Sequence, residues 1–152
     1  MFENTKGVTN EDIATMSVTM RAEEKLDFEA NFDSVESGLL HCCLVDNHTL
    51  RTVKLGDDLI AIYGLAVGEK RRVAHPWLAL SYLAAVHPIA VTKEAKRVMR
   101  QWHSHFLMFE NRVPAFDVNA IKLLKFLGFS MEEKTEIVNG IEYQPFFMIG
   151  GA

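Results

Sequence analysis

Cysteine is scarce in this sequence, and long apolar runs are missing. Only 2 of the 152 residues are cysteines, the adjacent pair Cys42 and Cys43. Neighbouring cysteines reach disulfide geometry only with backbone strain, so we expect free thiols in a reducing compartment. No apolar stretch approaches the roughly 18 residues that a membrane span needs. The first residues lack the basic and apolar segments of a signal peptide, which predicts an intracellular protein.

A strong positive charge is also lacking, because the formal net charge is −4. An acidic protein is a poor general binder of nucleic acid, so we do not expect a nucleic-acid partner. The charge is unevenly distributed, since residues 1–40 are acidic and the middle of the chain is basic. The basic residues of this middle region can hold a phosphate-bearing ligand: Lys70, Arg71, Arg72, Lys93, Lys96, Arg97 and Arg100.

The length and composition are typical of one globular domain. Apolar residues make up 49% of the chain and charged residues 24%, as in ordinary globular proteins. Neither a linker, an internal repeat nor a low-complexity segment interrupts the sequence. We therefore predict a single domain over residues 1–152, with a helical part at about 10–44 and a sheet–helix core at about 50–150.

The N-terminal third has helical patterns. Asn10 is a candidate N-cap, because Glu11 and Asp12 follow it in the first turn, where the helix dipole favours negative charge. A second helix is predicted from about Met20 to Asn31, and a third ends near Leu44. The side chains expected to face the core from this region are Leu26, Phe28 and Phe32.

From residue 50 onward the apolar period changes to that of strands. Leu50–Leu55 and Leu59–Val67 flank a turn, so they predict a β-hairpin. A charged loop is expected at Gly68–His75. A buried strand is expected at Pro76–Val86, because this run is apolar and contains no charged residue.

The clearest helix is predicted over Thr92–Phe106. Its apolar face contains Val98, Met99 and Trp102, and its basic residues lie on the opposite face. A short strand is predicted around Phe109–Ala115. A second, compact helix is predicted over Asn119–Leu127, closed by Gly128. We expect the aromatic residues of this half to pack in the core: Trp77, Trp102, Phe106, Phe126, Phe146 and Phe147.

The last segment has the strongest local signal in the sequence. Asn139-Gly140 separates two strand-like runs, and Asn-Gly is the preferred two-residue hairpin turn. Strands with interspersed helices on a mostly antiparallel sheet define an α+β layer fold, which is the fold class that the sequence predicts.

The segment from Asp117 to Phe129 resembles the closing helix of the acyl-CoA N-acyltransferase (GNAT) superfamily. Asp117 stands where that motif has Asn, Ala120 matches its Ala, and Gly128-Phe129 matches its Gly-Phe. The resemblance implies a GNAT-like mixed, mostly antiparallel sheet flanked by helices. It also implies acetyl-CoA as the cofactor and transfer of an acetyl group to an amine as the reaction.

Three further segments are similar to the phage GNAT-like proteins of the podovirus internal virion protein A type. They are Lys93–Arg97, Glu110–Val113 and Phe147–Gly151. This resemblance implies a virus-encoded protein located in the host cytoplasm or packaged in the virion. Its implied partners are other phage virion proteins or a host protein.

Two positions depart from the GNAT enzymes. Those enzymes hold the cofactor pyrophosphate with backbone N–H groups of a glycine-rich loop, but residues 87–92 at the corresponding place contain no glycine. Proline at position 88 also removes one donor. Many GNAT enzymes use a Tyr of the closing helix as general acid, and Leu124 at that position cannot donate a proton.

The resemblance gives candidate site residues. Glu110, Tyr82 and Asp117 are the candidates for catalysis, since they are expected to border the cleft of a GNAT fold. The candidates for cofactor binding are Ser81 in the central strand and the basic residues of the following helix: Lys93, Lys96, Arg97 and Arg100. The alternative for these basic residues is a solvated helix face. By their chemistry four histidines are also candidates for a general base, with a structural or surface role as the alternative: His75, His87, His103 and His105.

The residues contain no metal-ligand signature, since His103 and His105 lack the i, i+4 spacing of a helical metal pair. Three functions remain open. One is a binding, assembly or host-takeover protein with a degenerate acyltransferase site. The second is an active acetyl-CoA-dependent N-acetyltransferase that modifies a host or viral amine. The third is a globular interaction domain that binds no small molecule.

Overall fold

The computed structural model describes residues 2–45, 49–67 and 72–151. Its N-terminal half contains β1 (Glu3–Lys6), α1 (Asn10–Thr19), α2 (Ala22–Asn31), α3 (Val35–Val45), β2 (Arg51–Leu55) and β3 (Asp58–Val67). The following elements are β4 (Val73–Leu80), a 3₁₀ turn (Tyr82–Val86), α4 (Pro88–His103) and β5 (Met108–Pro114). The chain continues with α5 (Val118–Leu127), β6 (Ser130–Met131), β7 (Glu136–Val138) and β8 (Ile141–Ile149).

The strands form one mixed sheet with the order β1-β2-β3-β4-β5-β8-β6, and β7 pairs with β8. β4 and β5 are parallel. The pairs β1–β2, β2–β3, β5–β8, β6–β8 and β7–β8 are antiparallel. The predicted α+β class with a mostly antiparallel sheet is therefore confirmed. The short strand β1 has no counterpart in the sequence prediction.

The chain divides into two compact units, each assembled from two segments. Unit 1 comprises residues 1–66 and 77–90, and unit 2 comprises residues 67–76 and 91–152. Of the three boundaries, the first falls at the last residue of β3, the second inside β4 and the third inside α4. Within residues 2–45, 49–67 and 72–151, no helix has both the length and the apolar character needed to cross a membrane.

Unit 1 has a core where α1 and α3 meet strand residues. Its buried residues are Ile13, Met16, Met20, Val35, Leu39, Leu59, Ile62 and Ala79. The first helix begins one residue earlier than predicted, because Thr9 and not Asn10 is its N-cap. The Thr9 hydroxyl accepts from the Asp12 N–H, and the Asp12 carboxylate accepts from the Thr9 N–H, which is a capping box.

The packing of α2 differs from the prediction at one residue. Leu26, expected in the core, is 54% exposed. Phe28 and Phe32 do turn inward, with ring centroids 5.8 Å apart. A Cβ added at Gly38 of α3 would overlap both rings. Glycine at position 38 therefore lets α3 approach the two phenylalanines.

The segment around β4 also differs from the prediction. β4 begins at Val73, inside the predicted charged loop, and ends at Leu80, before the predicted end at Val86. Residues 82–86 instead form a 3₁₀ turn, in which the Ala84 N–H donates to the Ser81 carbonyl. α4 begins at Pro88 and not at Thr92, because proline is well suited to the first position of a helix.

Unit 2 is built around β5 and β8, which pair over seven residues from Met108↔Ile149 to Pro114↔Tyr143. Phe109 and Tyr143 are almost fully buried, and so is Phe146. The predicted turn is confirmed, since Asn139 and Gly140 have φ angles of 51° and 80°. Gly128 ends α5 with φ 101°. Phe126, expected in the core, is 57% exposed, so that prediction is wrong.

Candidate functional site

In unit 2, the pairing between β4 and β5 changes from backbone to side-chain hydrogen bonds. The backbone register joins Val73 to Met108 and Ala74 to Phe109. Next along the strands, His75 Nδ1 lies 2.9 Å from the Glu110 carbonyl oxygen, which can only accept, so Nδ1 is the donor. Asn111 Nδ2 donates to the Pro76 carbonyl at 2.9 Å. Pro76 has no N–H and cannot continue a regular ladder.

Glu110 lies in β5 and is partly buried. Its main-chain oxygen is the acceptor that His75 uses, so the residue helps to hold β4 against β5. The predicted use of its carboxylate in catalysis stays a prediction.

Asp117 has a clear structural role. It is 3% exposed, and its carboxylate accepts from the Ala120 N–H at 3.2 Å as the N-cap of α5. A carboxylate at the N-cap accepts a hydrogen bond from an otherwise unpaired N–H, and its negative charge interacts favourably with the helix dipole. A catalytic role for Asp117 stays a prediction, and it would have to be compatible with this capping bond.

In unit 1, Ser81 and Tyr82 lie at the end of β4 and not in the middle of a strand. Ser81 is fully buried; its hydroxyl donates to the Leu59 carbonyl at 2.7 Å, and its N–H donates to the Ile60 carbonyl at 3.0 Å. Tyr82 opens the 3₁₀ turn and is 59% exposed. The two neighbours therefore have opposite environments.

The last residue of β4 is bound by the junction between α1 and α2. The Leu80 N–H donates to Glu24 Oε2 at 2.8 Å, and the Leu80 carbonyl accepts from the Arg21 N–H at 3.1 Å. The Arg21 guanidinium in turn pairs with Glu24 Oε1 at 2.9 Å. The side chains of Arg21 and Glu24 are 13% and 11% exposed. Both main-chain polar groups of Leu80 are thus satisfied within the chain.

We call the hydrogen bonds of Arg21 and Glu24 with the main chain of Leu80 the Leu80 clamp. The sequence did not predict it. The three-residue spacing of Arg21 and Glu24 is a signal for an ion pair on one helical turn. Their strand partner, however, lies 56 residues from Glu24, and no local pattern identifies it.

The segment that corresponds to the pyrophosphate loop is helical. Residues 88–92 belong to α4, so from Thr92 onward the helix geometry directs each N–H to a carbonyl four residues earlier. Pro88 has no N–H. Only the N–H groups of the first turn, at residues 89–91, keep the orientation that binds an anion.

The basic residues of α4 are exposed as predicted: Lys93, Lys96, Arg97 and Arg100. They have different neighbours. Arg97 forms an ion pair with Glu94 on the preceding turn, which offsets part of its charge. The Lys96 ammonium lies 5.1 Å from the centre of the Phe126 ring, a cation–π contact. Lys70 and Arg71, from the predicted basic loop, lie outside the described residues.

The adjacent cysteines are not joined in a disulfide, and both are partly buried. Burial, together with the neighbouring Cys43 and Asp27, raises the pKa of the Cys42 thiol to about 12. Since the thiolate is the reactive form, Cys42 is a weak nucleophile at neutral pH. In the part of the chain that the structure describes, no group of three or more His, Cys, Asp or Glu side chains could hold a metal ion.

Solved structures share this architecture. Spermidine N-acetyltransferase from Vibrio cholerae, in complex with CoA and spermine, superposes with a TM-score of 0.68 at 12% identity, covering 98% of this chain and 95% of that one. Ribosomal-protein-S18-alanine N-acetyltransferase from Escherichia coli gives 0.65 at 12% identity, covering 100% and 96%. An acetyltransferase of the GNAT family from Streptococcus pneumoniae gives 0.57 at 12% identity, covering 99% and 100%.

Comparison at the level of sequence is negative: no protein-family model and no curated protein matches the chain. The likeness is therefore one of fold. With its element order, mixed sheet and near-complete coverage of these acetyltransferases, the chain has the GNAT fold.

Proposed function

We propose that this chain is a phage-encoded GNAT-fold protein that acts in binding, assembly or host takeover and has a degenerate acyltransferase site. One observation carries the proposal. The segment that should cradle the cofactor pyrophosphate is the first turn of α4, and it begins with proline. A loop that presents several backbone N–H groups to one anion is replaced by a helix that uses most of them internally.

The side chains of this turn add to the argument. Ile89 is 72% exposed, and Pro88 and Ala90 are exposed as well. None of the three side chains carries a hydrogen-bond donor that a phosphate could use. An exposed apolar turn is instead compatible with contact to another protein.

Two further positions support the loss of catalysis. Leu124 stands where the GNAT resemblance implies a general acid, and it cannot supply a proton. The main-chain groups of Leu80, at the end of the central strand β4, are already used by Arg21 and Glu24. An extended ligand that adds to a strand edge needs such groups to be available.

The viral assignment is supported by the sequence resemblance to the phage GNAT-like proteins. It implies partners among phage virion proteins or host proteins, and a location in the host cytoplasm or the virion. The segment Phe147–Gly151, on which that resemblance partly depends, has a packing role here. The Gly151 N–H donates to the His103 carbonyl at 2.8 Å and so closes the end of α4.

The second candidate is an active N-acetyltransferase that uses acetyl-CoA. It is favoured by the exposed basic side chains of α4, because Lys93 and Arg100 follow the anion-binding end of this helix by one to three turns. The similar spermidine N-acetyltransferase has CoA bound in its structure.

Titration calorimetry with acetyl-CoA, combined with a thermal-shift series, decides between the two candidates. A ligand at about 100 times its Kd stabilises a protein by ~2.7 kcal/mol. We expect no saturable heat and no shift in Tm at millimolar acetyl-CoA. We also expect no release of free CoA thiol in the presence of polyamine or peptide amines.

Saturable binding with thiol release would overturn the proposal in favour of the enzyme. In that case Arg100→Glu should weaken the affinity. Lys134→Glu, an exposed lysine between β6 and β7, makes the same charge change elsewhere in unit 2 and is the matched control.

A further inference from the structure

Helix α5 in unit 2 is apolar but is not buried. The structure describes all ten of its residues, and most of them are apolar. None of the ten is buried. Val118 and Phe126, two turns apart, are each 57% exposed. A large apolar side chain held at the surface of an apolar helix is typical of a surface that contacts a partner.

The surroundings of Phe126 are basic. Lys122 precedes it by one helical turn and Lys125 is its neighbour, and both are exposed. Lys96 of α4 lies over its ring at 5.1 Å. We call these four residues the basic–aromatic face. Interface centres combine an aromatic side chain with surrounding polar groups in this way, so the face fits a partner that offers an apolar residue among carboxylates.

Helix α2 in unit 1 presents that complementary pattern. Leu26 is 54% exposed, and Glu23 and Glu29 lie three residues before and after it, on the same side of the helix. The Glu23 side chain is 45% exposed and lies 4.0 Å from the Arg21 guanidinium, at the limit of an ion pair, and Glu29 is exposed as well. No residue of α2 is buried. We call Glu23, Leu26 and Glu29 the acidic–aliphatic face.

We propose that the basic–aromatic face of one copy of this chain docks on the acidic–aliphatic face of a second copy. Phe126 would pack against Leu26, and Lys96 and Lys122 would meet Glu23 and Glu29. The two faces differ, so the contact is heterologous and leaves one face free on each terminal copy. Growth then continues until a ring closes or a filament forms. The proposal does not depend on whether acetyl-CoA binds.

The first test is sedimentation velocity of the wild-type chain over a concentration series at two ionic strengths. At about 0.01 M salt the Debye length is about 30 Å, and at about 1 M it is about 3 Å. We expect species larger than a monomer at low salt and a shift toward monomer at high salt. A wild-type chain that stays monomeric at every concentration in both buffers overturns the proposal.

The second test uses two charge-reversed variants, Lys96→Glu/Lys122→Glu and Glu23→Lys/Glu29→Lys. Each variant by itself carries charges of the same sign on its two faces, so two copies of it repel each other there. Its self-association should weaken by at least about tenfold, as for the loss of a close interfacial charge pair. An equimolar mixture restores opposite charges on both pairs of faces, and association should return. If the mixture stays monomeric, the faces do not meet.

Single substitutions supply the matched control. Lys122→Glu should weaken association, whereas Lys134→Glu makes the same change in net charge outside the face and should not. Equal effects would indicate a response to net charge only and would overturn the proposal. A chain that binds a DNA oligonucleotide through Lys96 and Lys122 but does not self-associate would assign the face to nucleic acid instead.

Discussion

Gly150 shows how one missing side chain can determine a packing contact. Its N–H donates to the Leu107 carbonyl at 2.7 Å, and an added Cβ would overlap the Phe106 carbonyl oxygen. We predict that Gly150→Ala destabilises the protein by about 1–3 kcal/mol, as overpacking does. Urea denaturation followed by circular dichroism measures the loss.

Ile149→Ala is the control for Gly150→Ala. Ile149 is the preceding residue and is 65% exposed, so its truncation should change the free energy of unfolding by less than about 0.5 kcal/mol. If Gly150→Ala were as mild as this control, the backbone approach to Phe106 would not be tight in solution. The sequence marks Gly150 only through a family resemblance. Its contact with residue 106 is a long-range feature that no local pattern contains.

At the scale of single elements, the cap of α5 offers a second test. Asp117→Ala removes the acceptor of the Ala120 N–H, so we expect a loss of about 1 kcal/mol in the free energy of unfolding. Asp117→Asn keeps an acceptor oxygen at the N-cap and should retain most of the stability. Equal losses in the two variants would mean that the charge, and not the cap, supplies the stabilisation.

The helices and the last hairpin are the elements that the sequence specifies best. Local signals were sufficient for them: an acidic first turn in α1, an apolar stripe in α4, and Gly128 and Asn139-Gly140 at positive φ. The region from β4 to α4 was predicted less well. Residues 73–92 are mostly apolar and include no Asp, Glu, Lys or Arg, and such a run fits a strand, a 3₁₀ turn or a helix start equally. Tertiary hydrogen bonds to Arg21, Glu24 and Leu59 determine where β4 ends.

At the scale of the whole molecule, the buried carboxylate of Asp12 links stability to pH. Burial by itself raises the pKa of Asp12, but the bonds from Thr9 and the Lys54 ammonium at 3.0 Å outweigh it, so the pKa is lowered from its ordinary value of 3.8. A lowered pKa in the folded state means that this stabilisation is present above pH 3.8 and is lost as the pH falls through the folded value.

We therefore predict that Asp12→Asn makes the free energy of unfolding less dependent on pH below about 4, the range of an unfolded aspartate. Urea titrations across this range measure the effect. Glu11→Gln, which removes an exposed carboxylate from the same helical turn, is the comparison. A pH profile that Asp12→Asn leaves unchanged would show that the ionised carboxylate of Asp12, with its partners Thr9 and Lys54, does not link stability to pH.

The order of the strands could be predicted only through the resemblance to the GNAT superfamily. Asp117, Ala120 and Gly128-Phe129 carried that resemblance, and the solved acetyltransferases confirm the fold. The candidate site was less accessible to prediction. The sequence placed the basic residues of α4 correctly at the surface, but it gave no indication of the Leu80 clamp or of the acidic–aliphatic face.

The interleaved segments of the two units have a consequence for biosynthesis. Unit 1 needs residues 77–90, which are made after part of unit 2, and unit 2 needs residues 67–76, which are made before unit 1 is complete. Domains form as their chain emerges from the ribosome, so the ten residues 67–76 of unit 2 are synthesised before the second segment of unit 1. No single proteolytic cut could separate the two units from each other with both of them intact.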